Sequence, residues 1–404
     1  MTSILESAPA SPRPETGCPA CRAPLDGPAV YRQRSIPVQS CVQPTSAEQA
    51  RSIARGDLEL VRCDRCGLVF NRRFDPSTQR FADGYEETQS FSPVFRRFAD
   101  TLIDELIERW RPAGATVVEI GCGKGDFLES LCRRGGCRGI GIDPAYEPGR
   151  RAPSEQVSFE RRLFCADDVG LRADFLICRH TLEHIGPVGE FLNDIAALCR
   201  SGDFREAFFE VPDAVRIADE GAFWDVYYEH ANYFTPAAFS AAFERAGMRV
   251  VGTGPLFHDQ YLGLYAKPGP AASQRYADAG RSGARDGWQG LESARAHWQQ
   301  RIDALPEPVV IWGSGSKGVA FLAGADPHRR VTAAVDINPH RQGRFMPGTG
   351  QPIVAPEALP DRKPASVIIM NPAYVDEIRA DLGRLGLSPG IEVVGATRNR
   401  PDSE

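Results

Sequence analysis

The densest group of side chains able to do chemistry is residues 223–235, F-W-D-V-Y-Y-E-H-A-N-Y-F-T, where His230 stands among Tyr227, Tyr228 and Tyr233. An imidazole can take a proton from a carbon beside a carbonyl while a phenol holds the enolate oxygen that results, so this pairing suits the activation of a carbon nucleophile. The same run also reads as a packed aromatic lid. His180 and His184 follow the apolar run that ends at Cys178. With His230 they have the makings of a metal set, but no acid-rich cluster accompanies them, and His184 fits better as the lining of an acceptor pocket.

A second stretch, residues 117–143, supplies a place for a cofactor. It reads V-V-E-I-G-C-G-K-G-D-F-L-E-S-L and closes on G-I-G-I-D-P. A short apolar run, glycines at Gly121, Gly123 and Gly125, a helical pattern and a second apolar run predict strand, tight turn, helix and strand. Asp143 at the tip of the second strand is placed to accept hydrogen bonds from a ribose diol. Glu119, ahead of the first glycine, repels a phosphate and suits a sulfonium amino acid. The pattern E-x-G-x-G-x-G resembles the first motif of the class I S-adenosylmethionine-dependent methyltransferases. That resemblance implies a donor site built from Glu119, Gly121, Gly123, Gly125 and Asp143.

Four thiolates form a third set. Cys18 and Cys21 make one C-x-x-C knuckle and, after 41 intervening residues, Cys63 and Cys66 make another. Four such ligands close a tetrahedral zinc sphere, so the expected metal is structural, stapling a small module with little apolar content. A hairpin or insertion must bring the knuckles together. Cys41 between them is expected to be a buried apolar residue.

The elements that must position these groups follow from the rest of the chain. Its 404 residues are enough for two or three domains, and a net charge of −6 speaks against nucleic acid bound by bulk electrostatics. No apolar run approaches membrane-spanning length, the start lacks a signal peptide's regions, and eleven cysteines in apparent core strands fit a reducing compartment, so a cytoplasmic protein is expected. Apolar periodicity predicts a helix over residues 93–110, strands near 157–164, 175–178 and 207–211, a helix over 236–246, and a closing pair near 249–251 and 261–266. These complete a seven-stranded sheet with a terminal antiparallel hairpin. A linker is expected over 268–282 and an exposed helix over 288–305.

The opening pattern then recurs at Gly313, Gly315 and Gly318, with Lys317 in the loop and Asp336 beyond. Gly125 to Asp143 and Gly318 to Asp336 are both spaced by 18 residues. A G-x-G-x-x-G loop with a lysine suits phosphate, and Gly315, Lys317, Gly318 and the more distant Arg344 are the expected donors; NAD binding or a packing turn are the other readings.

Taken together, the two knuckles, E-I-G-C-G-K-G, L-E-H ending at His184, Y-Y-E-H-A-N-Y-F and D-I-N-P-H-R-Q-G-R-F-M-P-G-T resemble the sugar-nucleotide C-methyltransferases of deoxysugar biosynthesis over nearly all of residues 18–395. The resemblance implies an α/β architecture: a disordered leader (1–16), a zinc module (17–80), a class I methyltransferase domain (81–268), a linker and helix (269–305) and a Rossmann-like substrate domain (306–404). It implies base catalysis at a keto-sugar by His230 with Tyr227, and an acceptor pocket lined by His184 and Tyr85, to which His180 and Tyr228 are added by position; Tyr227 and His184 are expected to orient the acceptor and hold the enolate. S-adenosylmethionine and structural zinc are the expected cofactors, and a nucleotide-linked sugar the expected small-molecule partner. The chain departs from the family pattern in three places: Tyr228 replaces a histidine, Glu183 puts a carboxylate beside the pocket, and Val319 replaces an asparagine. O- or N-methylation of another metabolite, and a binding protein with a vestigial donor pocket, are the alternative functions.

Overall fold

The computed structural model describes residues 17–25, 27–79, 84–150, 154–200, 204–269 and 287–395. The expected leader and most of the expected linker lie outside these residues.

In the N-terminal part, β1 (Tyr31–Pro37), α1 (Ala47–Arg51), β2 (Arg55–Arg62) and β3 (Val69–Asn71) fill and follow the interval between the knuckles. β1 and β2 pair antiparallel, Tyr31 opposite Leu60 and Pro37 opposite Arg55. This hairpin folds the intervening chain back so that the second knuckle meets the first.

The methyltransferase sheet is entered through α2 (Pro93–Trp110). Ser92 caps it by accepting a hydrogen bond from the Phe95 amide, Pro93 occupies the first turn, and Phe95, Leu102, Ile103, Leu106 and Trp110 form its buried stripe. There follow β4 (Thr116–Ile120), α3 (Asp126–Gly135), β5 (Arg138–Ile142), β6 (Val157–Glu160), β7 (Phe175–Arg179), α4 (Val188–Arg200), β8 (Glu206–Pro212), α5 (Ala214–Glu220), β9 (Asn232–Tyr233), α6 (Pro236–Arg245), β10 (Met248–Leu256) and β11 (Tyr261–Pro268). The sheet order is β10-β11-β8-β7-β4-β5-β6. Its members run parallel except β11, which is antiparallel to both β8 and β10. This is the seven-stranded class I methyltransferase sheet with its terminal hairpin. Strand order reverses between β4 and β7, the place where an open α/β sheet leaves a crevice at its carboxyl edge.

The C-terminal part contains α7 (Gly290–Ala304), β12 (Val309–Trp312), α8 (Ser316–Ala325), β13 (Val331–Val335), β14 (Ile353–Val354), α9 (Leu359–Arg362), β15 (Ser366–Ile369), α10 (Val375–Arg384) and β16 (Gly390–Val393). Its five strands are all parallel in the order β14-β13-β12-β15-β16.

Two features depart from the sequence expectation. The helix near 288–305 is not exposed: Trp288, Leu291, Trp298 and Ile302 are buried, and α7 packs against α5 and α8. Its apolar stripe is short, but two tryptophans carry enough area to anchor it. The knuckle module also does not stand apart. β9, from the methyltransferase part, extends its sheet by pairing with β3, Val69 opposite Tyr233. Tyr31, Ile36 and Leu58 share one apolar core with Phe223, Trp298 and Phe321, so a single core joins all three parts of the chain. Among the described residues no helix is long and apolar enough to cross a membrane.

Candidate active site

A cavity of about 970 Å³ lies at the carboxyl edge of the methyltransferase sheet. Tyr85, residues 87–92, the loops after β4, β7 and β8, and the glycine loop before α8 all contribute to its wall.

The donor end is the turn after β4. Gly121 and Gly123 have positive φ, 73° and 53°, and a Cβ on either would collide with Thr181 or with Glu87. Asp143 holds the turn closed: its Oδ2 accepts from the Gly123 amide at 2.8 Å and its Oδ1 from the Ala145 amide at 2.6 Å. Glu119 is buried with Oε2 unpartnered, and burial pushes its carboxyl up to about 8. Glu87, which sequence reasoning missed, lies against Gly123, and burial together with the Asp143 charge raises it to about 7. The nearby cation, Lys124, is committed to the carbonyls of Tyr85 (2.7 Å) and Ala145 (2.8 Å) and to Glu147. Three carboxyl groups around a glycine turn, two of them with an oxygen lacking a hydrogen-bond partner, form a cradle for a cationic nucleoside rather than for a phosphate. The residues fit S-adenosylmethionine.

At the acceptor end, a turn after α5 carries Tyr227 and His230 into the cavity with their rings 4.0 Å apart between centroids. His230 is 3 % exposed and its Nδ1 is unpartnered; burial holds its pKa well below the ordinary value, so the ring is neutral. His184 meets it edge-on at 4.9 Å, and its Nδ1 lies 3.0 Å from the Glu229 carbonyl. A carbonyl only accepts, so Nδ1 carries the hydrogen. Burial lowers His184 to about 4 and keeps it neutral, which leaves Nε2 as a lone-pair nitrogen. Glu229, also missed from sequence, accepts hydrogen bonds from the Ser40 amide (2.9 Å) and the Ser40 hydroxyl. Burial raises it to about 7. Tyr85 is buried against Cys41 and Ala145 in the cavity wall. Cys41 is buried as expected, but it borders polar groups, with Ser316 Oγ at 3.3 Å. His180 lines the same wall and turns its Nε2 to Glu210 at 2.7 Å, where Arg179 also binds.

Several expected substrate contacts fall elsewhere. Tyr228 is not in the cavity wall: its hydroxyl donates to the Arg73 carbonyl at 3.0 Å and accepts from the Asp75 amide at 3.0 Å, and its ring packs on Phe74. The turn that aims Tyr227 and His230 inward aims Tyr228 at the knuckle sheet. Arg344 is likewise outside the wall, and Arg341 lines it instead, donating to the Ser314 carbonyl at 3.0 Å. Gly315, Lys317 and Gly318 do reach the cavity. Lys317, however, pairs with Asp225 at 2.7 Å and Gln260 at 3.1 Å, and Ser314 binds Asp336. The charge expected for a phosphate is thus already matched by a carboxylate. A Cβ on Gly318 would strike the Gly313 carbonyl, which explains that glycine by backbone packing alone.

The four knuckle sulfurs lie within 4.8 Å of one another, with Cys18–Cys66 and Cys21–Cys63 both at 3.5 Å. Tetrahedral zinc with Zn–S near ~2.3 Å places its sulfurs about 3.8 Å apart, so the set fits the ion. None of the four lines the cavity.

A methyltransferase domain family matches residues 94–253 and a C-methyltransferase C-terminal domain family matches residues 297–391. With the class I sheet and the donor cradle, these place the chain in the S-adenosylmethionine-dependent methyltransferases, and within them among chains that carry the C-methyltransferase C-terminal domain. The chain is 27 % identical to the C-methyltransferase NovU of Streptomyces niveus over 347 residues, covering 80 % of this chain and 81 % of that one. It is also 30 % identical to the ubiquinone biosynthesis O-methyltransferase of Nitrobacter winogradskyi, over 101 residues that span 24 % of this chain and 38 % of that one. Among solved structures, magnesium protoporphyrin IX methyltransferase of Synechocystis PCC 6803 aligns at 18 % identity with a TM-score of 0.33, covering 43 % of this chain and 84 % of that one.

Proposed function

We propose that this methyltransferase transfers a methyl group to carbon beside the ketone of a nucleotide-linked deoxysugar, with the chain divided near residues 80, 268 and 305. The observation that carries the reading is a neutral, buried His230 tilted against the Tyr227 ring in the same cavity as the donor cradle. Similarity to a C-methyltransferase along four fifths of the chain supports it.

When bound, S-adenosylmethionine supplies an electrophilic methyl group on a sulfonium. Asp143 and Glu119 hold its ribose and cationic portion at the glycine turn. His230 removes the proton from the carbon next to the ketone, because a neutral imidazole in a dry site has the lone pair to do so. The Tyr227 hydroxyl donates to the oxygen on which charge develops. The Nε2 lone pair of His184 orients a donor group of the acceptor. The sequence reading that also had it hold the enolate fails on its tautomer. Gly315 and Arg341 border the end of the cavity where the nucleotide portion is expected.

We further propose that Cys18, Cys21, Cys63 and Cys66 hold one structural zinc, and that the protein works in the cytoplasm. The function is tested by incubation with S-adenosylmethionine and a panel of nucleotide-linked keto-sugars in deuterated water, followed by product mass. Methyl gain with solvent deuterium exchanging at the acceptor carbon is expected. Methyl gain only on non-sugar acceptors, without exchange, would discard both the sugar and the base.

A further inference from the structure

Holding an enolate takes hydrogen-bond donors, and the acceptor end offers fewer than its residue types promise. The Nε2 of His184 carries no hydrogen, as its Nδ1 contact to the Glu229 carbonyl requires. His230 must present a lone pair if it is to take a proton. Tyr227 then stands as one donor among the aromatic and imidazole groups at this end.

Beside these rings lies a carboxyl group to which the reaction above gives no role. Glu183 is 1 % exposed and lines the cavity, and its Oε2 has no hydrogen-bond partner. Its Oε1 stands 3.8 Å from His180 Nδ1. One oxygen of Glu183 and one nitrogen each of His184 and His230 lie within 4.8 Å of one another. A carbonyl oxygen that accepts from Glu183 at about 2.8 Å therefore has its adjacent carbon within reach of the His230 nitrogen, while the hydrogen-free nitrogens of His184 and His230 offer that oxygen no hydrogen bond. An unpartnered buried carboxyl is costly to the fold, which makes an orphan oxygen at a cavity wall a group kept for a ligand.

We propose that Glu183, as a carboxylic acid, donates its O–H to the ketone oxygen of the acceptor and holds the enolate oxygen while His230 takes the proton from the adjacent carbon. The inference rests on the C-methylation reading and assigns a donor within it. The C–H bond breaks, its electron pair becomes the enolate C=C, and the carbonyl π pair moves to the oxygen; the proton rests on His230, and the Glu183 proton stays in its hydrogen bond to the enolate. As the new C–C bond forms, the carbonyl re-forms and the methyl–sulfur pair leaves with sulfur. His230 then returns its proton to solvent.

The surroundings favour the acid form. Burial, with the Glu210 charge added, pushes Glu183 up to about 8, against an opposing backbone hydrogen bond. The groups facing it are Cys178 and His180 at the end of β7, Glu210 of β8, Tyr227 from the turn after α5, and the imidazoles of His184 and His230. Glu210 is itself matched by Arg179 and His180. The site thus raises an acid and lowers a base side by side, the arrangement by which one pocket runs both roles near neutral pH.

The test measures deuterium exchange at the acceptor carbon and methyl gain, on an accepted keto-sugar nucleotide, for wild type, Glu183→Gln and Glu183→Ala across pH 6 to 9.5. Calorimetric S-adenosylmethionine binding serves as the check on folding. Removing one oxyanion donor is expected to slow exchange by about 10²-fold in Glu183→Ala, with donor affinity unchanged. Glu183→Gln keeps a donating N–H and the side-chain shape, so it is expected to stay within roughly tenfold of wild type. The wild-type rate should fall above pH about 8 as the acid ionises, and that limb should vanish in Glu183→Gln. If Glu183→Ala does not fold, Glu183→Gln decides. Exchange in Glu183→Ala at the wild-type rate, or an alkaline limb that persists in Glu183→Gln, overturns the inference while leaving carbon methylation intact. So does a second metal ion per wild-type chain that is lost in Glu183→Ala while the knuckle metal is retained, which would make Glu183, His184 and His230 a metal site. Absence of exchange and methyl gain in the wild type on every keto-sugar overturns the underlying reading itself.

Discussion

Burial is put to opposite uses by neighbouring residues of this site. It strips the charge from His230 and so leaves a base, and it protects the proton on Glu119 until a cationic ligand arrives. His230→Ala is expected to lower turnover by roughly 10²–10⁴-fold while S-adenosylmethionine binding by calorimetry is unchanged. Retained turnover would sink the base and point to transfer onto oxygen or nitrogen. Glu210 shows the other balance. Burial alone would raise it, but Arg179 and His180 outweigh burial and hold it at about 2. An acid whose folded pKa is depressed stabilises the fold above its unfolded pKa and loses that contribution as pH falls toward the folded value. Stability measured by urea titration should therefore drop between pH about 4.5 and about 2, with a shallower drop in Glu210→Gln. Glu119 and Glu183, raised to about 8, act in the reverse sense, costing stability progressively from pH about 4.5 up to about 8.

At the scale of elements, the important joints are between parts of the chain far apart in sequence. Asp225, in the turn after α5, accepts Lys317 of α8 at 2.7 Å and Arg216 of α5 at 2.5 Å, all of them largely buried. Asp225→Asn leaves Lys317 without its paired carboxylate and Arg216 with Glu220 alone, and is expected to cost about 3–5 kcal/mol in denaturant unfolding. Adding Lys317→Met should recover part of that loss, and a double mutant whose loss equals the sum of the two single losses would show the pair to be uncoupled. The cysteine knuckles act through β3. Because β3 pairs with β9, and β9 directly follows the turn that carries Tyr227 and His230, the proposed zinc would support that turn indirectly. Metal analysis should find one zinc per chain. Cys63→Ser should lower both zinc content and thermal midpoint, and weaken acceptor binding more than donor binding.

At the scale of the molecule, the cavity exists because three parts of the chain close around one space. Phe223 and Trp224 share their core with Phe321 and Trp298, so the wall that bears His230 is backed by the C-terminal part. A chain ending at residue 268 would expose those aromatics, and it is expected to aggregate in size-exclusion chromatography and to lose methyl transfer. A monodisperse and active truncation would refute this dependence.

The features legible in the sequence are those set by nearby residues. The strand, glycine turn, helix and acid of residues 117–143, the capped α2, the terminal hairpin and the two knuckles each depend on short-range spacing, and a linear reading recovers them. Tyr228 was misplaced because adjacent residues of a turn point to different faces, and only the packing of that turn says which way. Ser40 meets Glu229 across 189 residues, and Asp225 neutralises Lys317 across 92, so neither the buried carboxylate nor the spent charge of the glycine loop has a local signal. The sequence by itself determined the class I sheet, the donor turn and the thiolate set, because hydrogen-bonded strands and tight turns are chosen by local pattern. Only the tertiary structure decided which histidine keeps a lone pair and which carboxyl keeps a proton, because protonation is set by burial and by neighbours that the chain brings together from afar.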